Sequence, residues 1–407
     1  MNRRRLSSQF DERWHELSIP AGTAQWAALD RRYLQHGLST GRDSQPLILE
    51  RGRGCTVWDS DGREYLDAHG GAWLTQVGHG REELAEVAAA QMKKLEHFSS
   101  PWHYTTKPAI EFAEALVARA PIGEARVRYS TSGSQCCDEA LQVVRRYQWL
   151  RGAPERTWVL TLRGCYHGCT YGGAALNQGA IAAHGTFDGM GPVGGDIAQL
   201  TPPWPYHQEL YGGMDLVDFC VRELETTIER IGPLRIAAMF GEPVMGVAGM
   251  VPPPDDYWPR MTEVLKAHDI PFVADEVVTA FGRVGAWYGS SYYGVEPDIL
   301  VCAKGIASGY MPIGTLIIRS EVADVLEGDY SGGSYGGHAV SCAVAKACID
   351  IIERENLLEN ARERGLQFLQ ELQPLLDLPV VGDVHGLGLA LGVELVSDKI
   401  TRTPLDD

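Results

Sequence analysis

The residues of this sequence that are best placed for chemistry come directly after predicted strands. Lys304 closes the apolar run 299–303, which has the pattern of a buried strand. Burial disfavours a charged ammonium group, and the neutral amine that results is a nucleophile toward carbonyl carbons. Gly305 and Gly309 follow it and would let a ligand approach the backbone closely. A solvated lysine at a strand end fits the same pattern, so the surrounding residues must decide between the two interpretations.

Three further polar segments have the same position relative to a strand. They are Ser132, Gly133 and Ser134 after the predicted strand 125–129, Glu242 after 234–240, and Asp275 after 270–274. Strands that alternate with helices between residues 125 and 318 indicate an α/β fold, with a mostly parallel sheet that helices cover on both faces. Ligands of such sheets bind beyond the carboxyl ends of the strands. We therefore expect these segments to meet Lys304 at one edge of the sheet.

An amine and a carboxylate at one sheet edge fit the chemistry of pyridoxal 5'-phosphate. In enzymes that use this cofactor, a lysine such as Lys304 holds its aldehyde, and a carboxylate such as Asp275 keeps its pyridine nitrogen protonated. Along an extended chain, Val277 would face the same side as Asp275 and could contact the ring. Residues 132–134 open a predicted helix, whose N-terminal N–H groups could bind a phosphate. Ordinary helix capping is the structural alternative for these polar residues.

The segment CYHGC at residues 165–169 allows two interpretations. Its two cysteines and its histidine are zinc-ligand types, but the sequence has no second cluster to complete a zinc site. Alternatively, Tyr166 could stack its ring on a flat cofactor, although a tyrosine packed in the core would have the same pattern. We predict no metal site here and interpret Tyr166 as a cofactor contact.

The segment GGSYG at residues 332–336 matches the G-x-S-x-G pattern of hydrolases. That motif requires a strand before the serine and a helix after it, because the turn between them exposes the hydroxyl. The residues before Ser334, EGDYS, do not have a strand pattern. We therefore interpret Ser334 as a hydroxyl that reaches a phosphate and not as a nucleophile.

The composition excludes several classes of function. The chain has 407 residues, 44% of them hydrophobic and 22% charged, and a net charge of -17. Nucleic acids and anionic membranes attract basic proteins, so neither is an expected partner. The sequence has no apolar run of about 18 residues, the length that spans a bilayer, and no signal-peptide pattern. Nine scattered cysteines indicate a reduced, cytoplasmic protein.

The chain is long enough for one large domain and a smaller one. Residues 1–70 are predicted to form an N-terminal arm and part of the small domain, with a hairpin at Asp61-Gly62. Residues 71–330 would form the large cofactor-binding domain. Residues 331–407, with a long helical segment interrupted near Asn356 and then two strands, would complete a small α+β domain built from both chain ends.

In this order, the motifs resemble those of the class III aminotransferases, which belong to the fold type I pyridoxal phosphate enzymes. The resemblance runs from residue 34 to 396 and is carried by WDSDGREYLDAHGGAWLTQVGHG, STSGSQ, YHG, GEPVMG, DEVVTAFGRVG, AKGIASGYMPIG and SYGGH. The segments GGAWLTQVGHG and RRYLQHGLST are most similar to the branch that acts on ω-amino acids and on amines with pyruvate. The resemblance implies a homodimer with active sites at the subunit interface.

The resemblance also implies roles for individual residues. Lys304 would hold pyridoxal 5'-phosphate as a Schiff base, and Asp275 would face its pyridine nitrogen. Ser334 would reach the phosphate of the neighbouring subunit's cofactor, while Trp73 and Tyr166 would line the substrate side. The implied cofactor-binding residues are Ser132, Gly133, Ser134, Tyr166, Glu242, Asp275, Val277, Lys304 and Ser334.

The sequence departs from the family pattern at several positions. The family usually has Glu-Ala-Asn after the serine of the phosphate loop, where this chain has Gln135, Cys136 and Cys137. Val247 is bulkier than the alanine that is often found nearby. Family members usually continue beyond the position of Asp407, and that region carries an arginine that grips a substrate carboxylate. No residue of this sequence matches it, so either the sequence is shortened or carboxylate recognition differs.

We predict a homodimeric aminotransferase that moves an amino group from an amine or an ω-amino acid to a keto acid such as pyruvate. Lys304 would act as general base and acid in the proton transfer at the substrate carbon. A racemase, lyase or decarboxylase with the same cofactor is the nearest alternative. An inactive scaffold relative would fit the altered phosphate loop, but it would not need to retain Lys304, Asp275 and Tyr166.

Overall fold

The computed structural model describes residues 23–36, 46–98, 104–177, 195–328 and 332–405. The chain divides into two units, one formed by Met1–Gly70 with Gly78–Arg81 and the other by Gly71–Val77 with Glu82–Asp407. The expected large and small domains, 71–330 and 331–407, fall almost entirely within the second unit. The boundary between these two domains remains a prediction.

The described residues of the first unit form one helix and a three-stranded antiparallel sheet. They are α1 (Thr23–Tyr33), β1 (Leu49–Arg53), β2 (Thr56–Asp59) and β3 (Glu64–Leu66). The Asp59 carboxylate accepts the backbone N–H groups of Asp61 and Arg63 at 3.0 and 2.9 Å. Gly62 has a φ of 82°, a left-handed conformation that glycine adopts without steric cost. The predicted hairpin at Asp61-Gly62 is confirmed.

Seven strands form the main sheet of the second unit. They are β4 (Ala125–Ser130), β5 (Trp158–Leu162), β6 (Ile197–Leu200), β7 (Ile236–Gly241), β8 (Phe272–Asp275), β9 (Ile299–Cys302) and β10 (Gly314–Arg319), in the order β4-β10-β9-β8-β7-β5-β6. The strands from β9 to β6 pair in parallel, whereas β10 is antiparallel to both β9 and β4. β4 therefore runs in the same direction as the parallel strands, and the carboxyl ends of six strands meet at one edge. The predicted mostly parallel α/β sheet is confirmed.

The central strands of this sheet explain why polar groups collect at that edge. All residues of β7, β8 and β9 are buried, as expected for strands that are covered on both faces. Polar side chains are costly inside such strands, so they occur where the strands end. Glu242 follows β7 directly, Asp275 is the last residue of β8, and Lys304 comes two residues after β9.

The described helices of the second unit precede, alternate with and follow these strands along the chain. They are α2 (Glu82–Lys94), α3 (Lys107–Val117), α4 (Gly133–Leu150), α5 (Tyr171–Leu176), α6 (Leu216–Ile231), α7 (Tyr257–Ala267), α8 (Gly289–Tyr292), α9 (Ser320–Val325), α10 (Ala339–Arg354) and α11 (Leu357–Leu372). α4 begins soon after β4, because Ser132 has an extended backbone and its hydroxyl accepts the N–H of Gln135 at 3.3 Å. Among the described helices, none has the length and hydropathy needed to cross a bilayer.

A second three-stranded antiparallel sheet follows α11. Its strands are β11 (Val381–Leu387), β12 (Ala390–Asp398) and β13 (Thr403–Pro404). The interruption predicted near Asn356 is confirmed, because this residue has a left-handed φ of 52° and separates α10 from α11. All nine cysteines of the chain carry free thiols.

Candidate active site

A cavity of about 460 Å³ is lined by segments that follow five strands of the main sheet. These segments are residues 131–134 after β4, 166–168 after β5, 242 and 247 after β7, 275, 277 and 278 at the end of β8, and 303–304 after β9. Eight of the predicted cofactor-binding residues line this cavity: Ser132, Gly133, Ser134, Tyr166, Glu242, Asp275, Val277 and Lys304. The expectation that these residues meet at one sheet edge is therefore confirmed, and we call this space the lysine cavity.

Lys304 presents its amine to the lysine cavity from a short 3-10 helix, Lys304–Ala307. Its backbone φ is 47°, in the left-handed region that a non-glycine residue rarely adopts and that tends to persist at functional sites. Burial lowers the pKa of the Lys304 amine, and the carboxylates of Asp275 and Glu242 oppose this shift. The amine therefore loses its proton at a lower pH than an exposed lysine does.

Asp275 lines the lysine cavity, and its polar contacts are with two buried side chains and one backbone N–H group. Its Oδ2 accepts a hydrogen bond from His167 Nδ1 at 2.7 Å and lies 3.2 Å from Cys137 Sγ, while Oδ1 accepts the Val277 N–H at 3.0 Å. Burial alone would lower the pKa of His167, but the thiol of Cys165 and the Asp275 carboxylate raise it well above its usual value. His167 and Asp275 therefore form a buried hydrogen-bonded pair that favours the protonated imidazole.

Glu242 is a fully buried carboxyl group that organises the backbone around the lysine cavity. Its Oε1 accepts the N–H of Tyr166 and its Oε2 accepts the N–H of Gly246, both at 2.9 Å. Burial raises the pKa of Glu242 to about 7, and the negative charge of Asp275 adds to this shift. Glu242 thus fixes the position of Tyr166 from a neighbouring strand end.

The start of α4 forms the polar end of the lysine cavity. A Cβ added to Gly133 would lie 2.9 Å from Cγ1 of Val277, so a larger residue here would require the side chain of Val277 to shift. The Ser134 hydroxyl accepts the N–H of Cys169 at 3.2 Å. An 18-residue helix that points its N-terminal N–H groups at a cavity favours an anion there.

Tyr166 and Trp73, the two predicted substrate contacts, lie on different cavities. Tyr166 is half-buried and lines the lysine cavity. Trp73 lines a second cavity of about 800 Å³, and its ring centroid is 5.0 Å from Lys304 Nζ. This distance is typical of a cation–π contact when the amine is protonated. Val247 lines both cavities, which places them side by side.

Ser334 is not among the residues that line the lysine cavity. It is exposed, and its backbone carbonyl accepts a hydrogen bond from His97 Nε2 at 2.8 Å. Its hydroxyl was expected to serve the cofactor of a neighbouring subunit, which a single chain does not test. That role therefore stays a prediction.

Sequence reasoning missed the two residues that hold Asp275. It treated His167 as part of a zinc pattern and Cys137 as a departure from a family motif, because residues 137, 167 and 275 have no spacing that relates them. The ligand-type atoms of these three residues lie within 4.8 Å of one another, a grouping that a metal ion could also use. Direct hydrogen bonds to Asp275 already account for it.

The residues of the lysine cavity fit pyridoxal 5'-phosphate. The cavity combines a desolvated amine, a buried carboxylate that is hydrogen-bonded to His167, and a helix N-terminus at its other end. Its volume of about 460 Å³ is within the range of small-molecule and cofactor pockets. Gly133 leaves open the space that a side chain would fill beside Val277.

Comparison with known proteins identifies the family. The sequence profile of the class III aminotransferases matches residues 38–405. The putrescine–pyruvate aminotransferase of Pseudomonas aeruginosa is 38% identical over 401 residues, which cover 95% of this chain and 86% of that protein. A mitochondrial gamma-aminobutyrate transaminase 1 of Oryza sativa subsp. indica is 34% identical, over 89% of this chain and 71% of that protein.

Solved structures agree with the sequence comparison. An (S)-enantioselective omega-transaminase of Thermomicrobium roseum superposes with a TM-score of 0.90 at 39% identity, covering 95% of this chain and 88% of that one. A PLP-bound amine transaminase of an uncultivated Pseudomonas species has a TM-score of 0.85 at 37% identity, covering 92% and 86% of the two chains. The chain therefore belongs to the class III aminotransferases, the pyridoxal-phosphate-dependent transaminases that the motif order resembles.

Proposed function

We propose that this protein transfers an amino group from an amine or an ω-amino acid to a keto acid such as pyruvate, with Lys304 and Asp275 as its catalytic residues. The observation that carries the proposal is that the Lys304 amine and the Asp275 carboxylate line one cavity at the sheet edge. Relatives whose names specify putrescine with pyruvate, or an omega-transaminase, support this pair of substrate classes.

Each group of the lysine cavity has a role toward the cofactor. When bound, pyridoxal 5'-phosphate supplies an aldehyde that bonds to amines and a protonated pyridine ring that accepts electrons from the substrate carbon. Lys304 would hold the aldehyde between turnovers, and Asp275 would keep the proton on the pyridine nitrogen. Val277 and Tyr166 would contact the ring. Ser132, Gly133 and Ser134, at the N-terminus of α4, would bind the phosphate.

The Lys304 amine is also the group that would move the proton. With a substrate in the cavity, the Lys304 amine would take a proton from the substrate carbon and return it at the neighbouring position. Burial lowers its pKa, which makes the neutral, proton-accepting form available nearer to neutral pH. His167 holds Asp275 in place through this transfer by its 2.7 Å hydrogen bond.

The depressed pKa of Lys304 predicts the pH dependence of cofactor incorporation. Only the neutral amine attacks an aldehyde, so the rate should rise with pH and level off above the pKa of Lys304. Because burial lowers that pKa, we expect the midpoint to lie below 10.5, the ordinary value for lysine. Absorbance changes on mixing the cofactor-free protein with pyridoxal 5'-phosphate measure the rate, and Nα-acetyl-lysine corrects for the titration of the cofactor itself. A midpoint at 10.5 or above would contradict a desolvated amine.

Two single-turnover experiments test the proposed reaction. The pyridoxal form of the protein, mixed with an amine and no keto acid, should convert to the pyridoxamine form, which has a different absorbance. Addition of pyruvate should then restore the pyridoxal form and release one alanine for each active site. A lyase or decarboxylase would form its product without the pyridoxamine form, a racemase would invert the donor, and a scaffold protein would give no change.

The assembly and the compartment are proposals as well. We propose a homodimer in which Ser334 of one subunit contacts the cofactor phosphate of the other, supported by the exposure of Ser334 outside the lysine cavity of its own chain. We also propose a cytoplasmic location, which nine free thiols support. The molar mass of the wild-type protein in solution tests the dimer. The molar mass of a Ser334→Ala variant shows whether the contact of Ser334 with the phosphate is also needed for assembly.

A further inference from the structure

The second cavity, of about 800 Å³, offers room for the part of a substrate that lies away from its reacting amine. It shares Val247 with the lysine cavity, and Trp73 lines it while facing Lys304 Nζ at 5.0 Å. A substrate whose amine reaches Lys304 can therefore extend past Val247 and Trp73 into the second cavity. The chemistry of this cavity should then select among amine donors.

Arg163 brings a positive charge to the second cavity. It is the first residue after β5, and its backbone N–H donates to the carbonyl of Leu200 at 2.9 Å, so the sheet edge fixes its position. Arg163 is exposed and lines the cavity, and its Nη2 donates to the hydroxyl of Thr201 at 2.5 Å. Thr201 in turn donates to Glu223 at 3.0 Å. The hydroxyl orients one side of the guanidinium and leaves its other N–H groups available.

The guanidinium of Arg163 has no ion-pair partner within the described part of the chain. Several other arginines of the second unit contact a carboxylate directly: Arg119 with Glu353 at 2.6 Å, Arg126 with Asp324 at 2.5 Å and Arg260 with Asp218 at 2.8 Å. Arg163 reaches Glu223 only through the Thr201 hydroxyl. A guanidinium with unused donors at a cavity wall is suited to a carboxylate, whose two oxygens match its planar fork.

The remaining charged groups among the described residues of this cavity already have partners. Glu394 contacts His207 Nε2 at 2.7 Å and accepts Trp204 Nε1–H at 3.2 Å. His385 contacts Asp383 at 2.9 Å and the carbonyl of Gly249 at 2.9 Å. These contacts leave Arg163 as the charged group of this wall that is most available to a ligand.

We propose that Arg163 binds the distal carboxylate of an ω-amino acid donor, which makes it a specificity-determining residue of this enzyme. Arg163 lines the second cavity and not the lysine cavity, so a carboxylate on the reacting carbon would not be its partner. In an ω-amino acid whose amine lies at Lys304, the carboxylate is several bonds away and lies beyond Val247. The inference rests on the proposed transaminase function and selects one donor class within it.

The test compares matched donors in the first half-reaction of the cofactor-loaded protein. 4-Aminobutanoate is paired with n-butylamine, and 6-aminohexanoate with n-hexylamine, and conversion to the pyridoxamine form is followed by absorbance. In the Arg163→Gln protein we expect the apparent second-order rate constant for at least one ω-amino acid to fall about tenfold, as for loss of one exposed charge-assisted contact. The rate constant for the matched alkylamine should change by less than about twofold, because it makes no such contact.

Two control variants and one binding measurement complete the test. Arg163→Lys keeps the charge without the fork and should retain part of the preference for the ω-amino acid. Arg260→Gln, which removes an exposed arginine that lines neither cavity, should change neither donor series. Calorimetry with hexanoate, which cannot react, should show about tenfold weaker binding to the loaded Arg163→Gln protein, by the same loss of one contact.

The outcomes separate this inference from the proposed function. Equal losses for both members of each donor pair would mean that Arg163 is structural, and unchanged rates would mean that it does not touch the substrate. Either result overturns the inference and leaves the transaminase function intact. If the wild-type protein converts no donor to the pyridoxamine form, the transaminase function fails, and the inference fails with it.

Discussion

Replacement of Lys304 by alanine is expected to lower transamination turnover by about 10³-fold, the size of a general acid–base contribution in enzymes. The side chain is both the amine that would hold the cofactor and the base that would move the substrate proton, so no neighbouring group replaces it. Two observations support this dual role: Lys304 lines the lysine cavity, and burial lowers the pKa of its amine. Turnover is measured as alanine formed from pyruvate and an amine donor.

A second readout tells a catalytic lysine from a structural one. The Lys304→Ala protein should lose pyridoxal 5'-phosphate on dialysis faster than the wild type, while its melting temperature without cofactor should not fall, because a desolvated amine is removed. Lys346→Ala is the matched control, since Lys346 is an exposed lysine of α10 that pairs with Asp350 at 2.8 Å. Full turnover by the Lys304→Ala protein would refute the assignment.

Replacement of Asp275 is expected to have the second largest effect, on both activity and stability. Asp275→Asn keeps the size of the side chain but removes the charge that would hold a proton on the pyridine nitrogen, and we expect turnover to fall by about 10²-fold or more. Asp275→Ala also leaves the buried ring of His167 without its hydrogen-bonded partner, which should destabilise the fold by about 3 kcal/mol. Alanine formation and the midpoint of thermal unfolding measure the two effects.

A carboxylate at the opposite end of the strands is the control for Asp275. Asp298 directly precedes β9 and accepts the N–H of Phe272 at 2.8 Å, so it lies at the amino end of the strands. Asp298→Asn should lower the melting temperature without lowering turnover per folded protein. If Asp275→Asn and Asp298→Asn reduced turnover equally, the role of Asp275 would be structural. An additional Cys137→Ser variant, which keeps a donor to Asp275, should retain most of the activity.

The central strands could be predicted from the sequence, because a strand that is buried on both faces is a continuous run of apolar residues. The apolar runs that became β7, β8 and β9 stand out, since strands covered on both faces have no polar residues at alternate positions. Lys304, Asp275 and Glu242 stood out for the same reason, as polar groups at the ends of such runs. The edge strands β1 and β6 were missed, because β1 (LERGR) is mostly exposed and β6 (IAQL) is short.

Contacts between distant segments could not be predicted from the same patterns. Residues 137, 167 and 275 lie on α4, after β5 and on β8, and they meet only because α4 packs against a sheet in which β8 and β5 flank β7. Local periodicity carries no information on which strand lies beside which. His167 was therefore read as a zinc-ligand candidate, although the tertiary structure pairs it with Asp275.

By itself the sequence determined the types and the order of the groups that could do chemistry: an amine after β9, a carboxylate at the end of β8, a carboxyl group after β7 and a helix start after β4. Burial selects apolar strands and pushes polar residues to their ends, so this information is local. Only the tertiary structure decided that Trp73 faces Lys304, that Cys137 and His167 hold Asp275, and that Arg163 lines a cavity beside them. Those contacts depend on strand order and side-chain packing, which act between residues far apart in the chain.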